Sequence, residues 1–182
     1  EFIGERLTVL GPSSTSQPVP LPPTCSFFLP GIEDDPGLPG DWHCLSGCWQ
    51  QRKGTAYQSK PDGLAEASWE LPAASFLLEV TLQPGSSSTP LASCGLRLAD
   101  DCGNQFALRL LPTQQILDVE NSHEQAVLHL PNPLQSGEQH LLRLEVNQLH
   151  ITISLDGNAA RWQGRLLSPP THLLLRSENM SA

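Results

Sequence analysis

The sequence predicts an all-β protein, an antiparallel β-sandwich, on three observations. The first is alternation: Phe76, Leu78, Val80 and Leu82 share one parity, as do Leu142, Leu144 and Val146, and again Leu149, Ile151, Ile153 and Leu155. Period two sends one side chain to a core and the next to water, the pattern of a strand with one buried face. The second is punctuation: Pro61-Asp62-Gly63, Asp100-Asp101-Cys102-Gly103, Asn147-Gln148 and Asp156-Gly157-Asn158 each turn the chain. Proline presets φ, glycine accepts positive φ, and Asx side chains close turns on their own backbone. The third is that 17 prolines are spread between these runs, which leaves no convincing helix. Short strands joined by tight turns pair antiparallel, and two such sheets stack.

Taken in order, residues 1–24 are expected to hold one short strand, Arg6 to Leu10, and then a Pro/Ser-rich linker. Proline removes amide donors and serine is well solvated, so 11–24 reads as a semi-extended spacer. The sandwich domain is expected over 25–182. Its first strand is Phe27 to Leu29, followed by a loop rich in Pro, Gly and Asp. Trp42 to Gln50 comes next, with Leu45-Ser46-Gly47 as a hairpin tip, and then Thr55 to Ser59. In the next strand Ala65, Ala67, Trp69 and Leu71 alternate against Glu66, Ser68 and Glu70. Further strands are predicted at 75–82, 94–99, 104–111, 116–120, 126–130, 139–146, 149–155, 159–163 and 172–177, about a dozen in all.

The formal net charge is −9, from 10 basic and 19 acidic side chains. Such a chain lacks the field that neutralises phosphates, which excludes nucleic acid and disfavours anionic membranes. No apolar stretch approaches the roughly 20 residues of a spanning helix. Glu1-Phe2-Ile3-Gly4 has neither a basic n-region nor an apolar h-region. The chain is therefore expected to be a piece of a longer product. The five cysteines are Cys25, Cys44, Cys48, Cys94 and Cys102. An odd number leaves at least one unpaired within the chain. Cys44 and Cys48 flank the expected hairpin tip, where a disulfide can bridge them; the alternative is that all five are small buried thiols. Asn179-Met180-Ser181 is a sequon, open to glycosylation in a eukaryotic secretory route.

The order of the pieces resembles the concanavalin A-like, laminin-G-like jelly-roll modules of secreted and surface proteins. The resemblance is carried by Gly40-Asp41-Trp42-His43, Ser46-Gly47-Cys48-Trp49-Gln50, Asp62-Gly63-Leu64-Ala65 and Phe76-Leu77-Leu78-Glu79-Val80. It continues through Cys94-Gly95-Leu96-Arg97-Leu98, Asn104 to Leu110, Leu142 to Val146, Leu155-Asp156-Gly157 and Leu174 to Asn179. It covers residues 25–182. What it implies is a jelly roll accessory to a larger extracellular or cell-surface protein, with a carbohydrate or a neighbouring domain or chain as partner. In that family an aromatic-led strand follows the Arg-Ser-Glu-Asn segment and pairs back to the start of the domain. Here the resemblance implies that such a strand comes from another segment or chain, or that residues 5–10 take its place, or that an edge stays open.

Candidate chemistry is sparse. Glycoside hydrolysis needs two carboxyl groups about 5–10 Å apart. The Glu-x-Asp-x-x-Glu strand of the glucanases in this superfamily is absent. Glu66 and Glu70 share a strand face, but roughly 13 Å apart at strand rise. Asp100 and Asp101 with Asn104 can offer oxygens to Ca²⁺; their ordinary role is a solvated turn, and no other cofactor is indicated. His140 and His150 lie on strands joined by a hairpin and are expected to meet across it as a surface pair. Aromatics give the best binding hint, because sugar C–H faces stack on indole and phenol rings. Trp42, Trp49, Tyr57 and Trp162 are the candidate platform, against the ordinary role of tryptophan in core packing. Arg97, Arg109 and Arg143 point away from the apolar parity and are the candidate polar partners. The function expected is a non-catalytic carbohydrate-binding module. The alternative is an interaction module that buttresses a neighbour without binding sugar, and a glycoside hydrolase ranks third.

Overall fold

In the computed structural model, the residues described are 2–3, 6–7, 38, 41–52, 55–58, 63–85, 89–121, 124–132, 134–135, 137–157 and 159–179. The strands are β1 (Phe2–Ile3), β2 (Arg6–Leu7), β3 (His43–Ser46), β4 (Trp49–Arg52), β5 (Thr55–Gln58), β6 (Leu64–Glu70), β7 (Phe76–Leu82) and β8 (Ser93–Ala99). They continue as β9 (Gln105–Leu111), β10 (Ile116–Asn121), β11 (Gln125–His129), β12 (His140–Asn147), β13 (His150–Leu155), β14 (Ala160–Arg165) and β15 (His172–Glu178). The only helical turn among the described residues is a 3₁₀ turn, Pro112–Gln114. The expected strand at Phe27–Leu29 and the linker 11–24 lie outside the described residues.

All described pairings are antiparallel. One sheet has seven strands in the order β11-β10-β9-β8-β15-β6-β3, and the other has four, β14-β13-β12-β7. Two further hairpins, β1-β2 and β4-β5, stand as separate two-stranded sheets. Arg6–Leu7 therefore pairs with Phe2–Ile3 alone. The described part of the N-terminal strand, Arg6–Leu7, extends neither large sheet, and residues 5 and 8–10 lie outside the described residues.

Alternation is read out directly in burial. In β12 every second residue from His140 to Val146 is buried, and the intervening ones are exposed. Leu78, Leu144, Ile153 and Trp162 form one cross-strand row on the inner face of the four-stranded sheet. Leu96, Leu108 and Val119 form a matching row in the seven-stranded sheet. These rows belong to a single core with Phe106, Leu110, Leu117, Leu142, Ile151, Leu155, Leu173 and Leu175. Cys94 lies in it too, and burial pushes its thiol up to about 12.

The stretch expected as one hairpin, Trp42 to Gln50, is divided between two sheets. β3 pairs with β6, whereas β4 pairs with β5. The switch is at Gly47, whose φ of +86° suits glycine, and where a Cβ would come within 2.4 Å of the Ala65 Cβ. Since Leu45-Ser46-Gly47 closes no hairpin, Cys44 and Cys48 are not held across one. Neither takes part in a disulfide, Cys44 being exposed and Cys48 half-buried, and this corrects the expected bridge. Cys102 is exposed as well, so the thiols are not uniformly buried. The histidine pair is also corrected: His150 lies opposite Asn147, while His140 sits at the far end of the hairpin with its Nδ1 2.8 Å from Asp156 Oδ2.

Candidate functional site

The expected aromatic platform is not assembled. Trp42 is 8% exposed and stacks on Trp69, with ring centroids 6.4 Å apart. Trp49 is 6% exposed and its Nε1 donates to the Ser46 carbonyl at 3.0 Å. Trp162 faces inward from β14 and packs on Phe106 at 5.6 Å, over the bare Cα of Gly164. Tyr57 pairs with Gln50, on the opposite face of the β4–β5 hairpin from Trp49. Indoles carry large apolar areas, and here the sandwich uses them to fill its core and margins.

The residues of the candidate Ca²⁺ group, Asp100, Asp101 and Asn104, are engaged in hydrogen bonds. Asp100 Oδ1 accepts the backbone N–H groups of Cys102 at 2.9 Å and Asn104 at 2.8 Å. Its Oδ2 accepts Asn104 Nδ2 at 2.7 Å and the Ser168 hydroxyl. Asn104 thus presents a donor, and the Asp100 oxygens are committed to the β8–β9 turn and the segment before β15. Asp101 turns away to accept Thr171 Oγ1 at 2.8 Å. Among the described residues no group of three metal-ligating side chains converges.

The hydrogen bonds from Ser168 and then Asn104 hold the Asp100 carboxyl at about 2, below its ordinary 3.8. A carboxylate with a lowered folded pKa stabilises the fold above its unfolded pKa, and that contribution disappears as the pH falls through the folded value. Asp100→Ala is therefore expected to melt below the native protein at neutral pH. The gap should close between about pH 4 and about pH 2. Thermal melts of both proteins across that range check this; a gap independent of pH would contradict it.

The polar residues tell a different story. Arg97 and Arg109 do point outward, onto the exposed face of the seven-stranded sheet, and the register there builds a continuous row. Glu66 on β6 faces Arg176 on β15, which faces Gly95 on β8. Gly95 faces Arg109 on β9, which faces Asp118 on β10. Beside this row lie Ser68, Leu174, Arg97, Ala107 and Glu120.

Arg109 clamps Asp118 Oδ2 with Nε at 2.9 Å and Nη2 at 2.5 Å, and reaches Glu120 at 2.7 Å. Gln125 donates to the other Asp118 oxygen at 3.0 Å. Arg97 Nη2 lies 3.2 Å from Glu66 Oε1, and its Nη1 donates to Gln105 at 3.3 Å. Arg176 meets the same Glu66 oxygen at 3.7 Å and Glu178 at 3.1 Å. The face thus sets three guanidiniums against five carboxylates, Glu70 at the end of β6 being the fifth, and carries a small negative excess. Two donors stay unfilled: the Nε atoms of Arg97 and Arg176 are buried with no acceptor among the described residues. Arg143 is outward as expected, but on the other sheet, paired with Glu79 at 3.2 Å.

The sequence reading missed Glu66, Arg176, Asp118 and Gln105 as parts of one site. Arg176 was findable, since it shares parity with His172 across a leucine-rich strand. The comparisons with known proteins agree with the architecture. No protein-family model matches the chain, and no curated protein sequence matches it either. Solved structures do match.

The carbohydrate-binding module CBM66 from Bacillus subtilis superposes with a TM-score of 0.60 at 12% identity, over 78% of this chain and 89% of that one. The apo Crh5 transglycosylase gives 0.60 at 11% identity, over 85% and 68%. A Bacillus licheniformis β-glucanase gives 0.55 at 10% identity, over 81% and 85%. The chain therefore has the concanavalin A-like jelly-roll fold. That fold serves both carbohydrate-binding modules and enzymes that act on glycans, so the site has to carry the functional argument.

Proposed function

We propose that this chain is a non-catalytic carbohydrate-binding module, accessory to a larger secreted or cell-surface protein, that holds a neutral sugar on the outer face of its seven-stranded sheet. The observation that carries this reading is the row Glu66–Arg176–Gly95–Arg109–Asp118, crossing five strands. A sugar hydroxyl both donates and accepts, and alternating carboxylates and guanidiniums answer each role with planar groups of fixed direction. The small negative excess repels anions and suits a neutral ligand. The side chains of Arg109, Arg176 and Arg97, 28%, 20% and 19% exposed, are the groups that a bound hydroxyl or its water can reach.

The carboxylates do not favour hydrolysis. Glu66 and Asp118 are four strands apart, roughly 19 Å, well beyond glycosidase spacing. Asp118 and Glu120 are roughly 7 Å apart along one strand, but both close on the same guanidinium, Arg109.

Relatives by fold suggest the probes, since one is named a β-glucanase and another is a Crh5 transglycosylase in complex with NAG. Titration with β-glucan oligosaccharides and N-acetylglucosamine oligomers is expected to give saturable binding. Arg97→Gln should weaken it by about tenfold, the worth of one charged hydrogen bond. Silence across a neutral glycan array would overturn the reading. In that case the buttressing module takes its place, and one observation already favours it: Trp42 and Trp49 are buried in the core instead of exposed to a sugar.

A further inference from the structure

We propose a second binding site, for an acidic sugar, in the cleft along β14 at the open side of the sandwich. It lies away from the seven-stranded face and does not depend on the reading above. Here the edge strands of the two sheets, β11 and β14, approach each other. At that margin, beside β14 and the end of β10, opens a cleft of about 740 Å³ with Asn121, Glu124, His150, Gln163 and Arg165 as polar lining and Leu149, Leu166 and Leu167 as apolar lining. That volume falls in the range of small-ligand sites, which pair an apolar lining with a few convergent polar groups.

Charge identifies the ligand. Six arginines have described side chains, and Arg97, Arg109, Arg143 and Arg176 are all ion-paired. Arg161 and Arg165 have no ion pair among the described residues, although acidic residues outnumber basic ones by 19 to 10. They share the outward parity of β14 with Gln163, and Arg165 lies directly opposite His150. An exposed guanidinium left without a carboxylate in an acidic chain is available to an external anion.

Glu124 in the same cleft discriminates against a bare inorganic anion and offers an acceptor to hydroxyl donors. An acidic saccharide satisfies the whole set: its carboxylate or sulfate on Arg165, hydroxyls on Glu124, Asn121 and Gln163, and its C–H face on Leu166 and Leu167. The competing explanation is that Arg161 and Arg165 only guard an exposed sheet edge against pairing with another chain.

Calorimetric titration of the chain with an oligogalacturonate and with a sulfated heparin-derived tetrasaccharide decides the matter and separates the two anion sources. Binding of either probe is expected to weaken when salt is raised from about 50 mM to about 300 mM, as screening requires. Arg165→Gln should weaken it by about tenfold or more, while Arg165→Lys retains part and Arg97→Gln leaves it intact. Arg161 and Arg165 are exposed, so their variants should melt with the native protein. The site is overturned if neither probe binds, or if Arg165→Gln binds as the native chain does. It is equally overturned if the Arg161→Gln, Arg165→Gln double variant self-associates in sedimentation while the native chain binds no acidic probe.

Discussion

Gly95→Ala is expected to destabilise the domain by about 3 kcal/mol or more, the upper range of overpacking damage. The cause is steric and local. A Cβ at this position would stand 2.0 Å from the Leu108 carbonyl oxygen and 3.0 Å from its carbon. The obstacle is backbone on the neighbouring strand, so no rotamer relieves it. Strands β8 and β9 would have to part at the centre of the seven-stranded sheet, where Leu96 and Leu108 pair. Urea unfolding measures the loss as a fall in midpoint at unchanged slope. A midpoint equal to that of the native protein would show that β8 and β9 are not packed this closely. The same variant should weaken sugar binding, because Gly95 stands between Arg176 and Arg109 in the row and parting β8 from β9 would displace both.

Leu144→Ala is expected to cost about 3 kcal/mol, within the usual 2–5 kcal/mol for emptying a packed leucine site. Leu144 is fully buried at the middle of β12, flanked by Leu78 and Ile153 on its two neighbouring strands. Those β-sheet neighbours are held by hydrogen bonds on both sides, so the space cannot collapse freely. For a domain of this size the loss corresponds to a drop of roughly 10 °C in melting temperature. Leu141→Ala, three residues earlier on the opposite face and 45% exposed, should change stability by no more than about 0.5 kcal/mol. Equal effects at the two positions would contradict the assignment of the inner face.

The contrast between these leucines was legible in the sequence, because period two is a local signal and burial follows it. The same signal placed Arg97 and Arg109 on the outer face. Parity could not say which strands lie beside β8 and β9. Arg176 enters the row because β15 inserts between β6 and β8, more than 70 residues from β8 in sequence. Asp118 enters because β10 adds at the other side. Such pairings are long-range and leave no mark on spacing. Turn chemistry misled twice. Leu45-Ser46-Gly47 has the look of a hairpin tip, yet Gly47 sends the chain from one sheet to another. The Asp100–Asn104 loop has the residues of a cation site, yet its amide and hydroxyl donors reach the carboxylate first. Tryptophan misled for a third reason: an indole serves a sugar and a core equally well, and only its burial tells them apart.

The most direct test is amide chemical-shift mapping of the native chain titrated with a panel of neutral oligosaccharides. The perturbed amides are expected to cluster on the seven-stranded face, at Gly95, Arg97, Arg109, Asp118 and Arg176. An unchanged spectrum, or shifts confined to the four-stranded sheet, would contradict it.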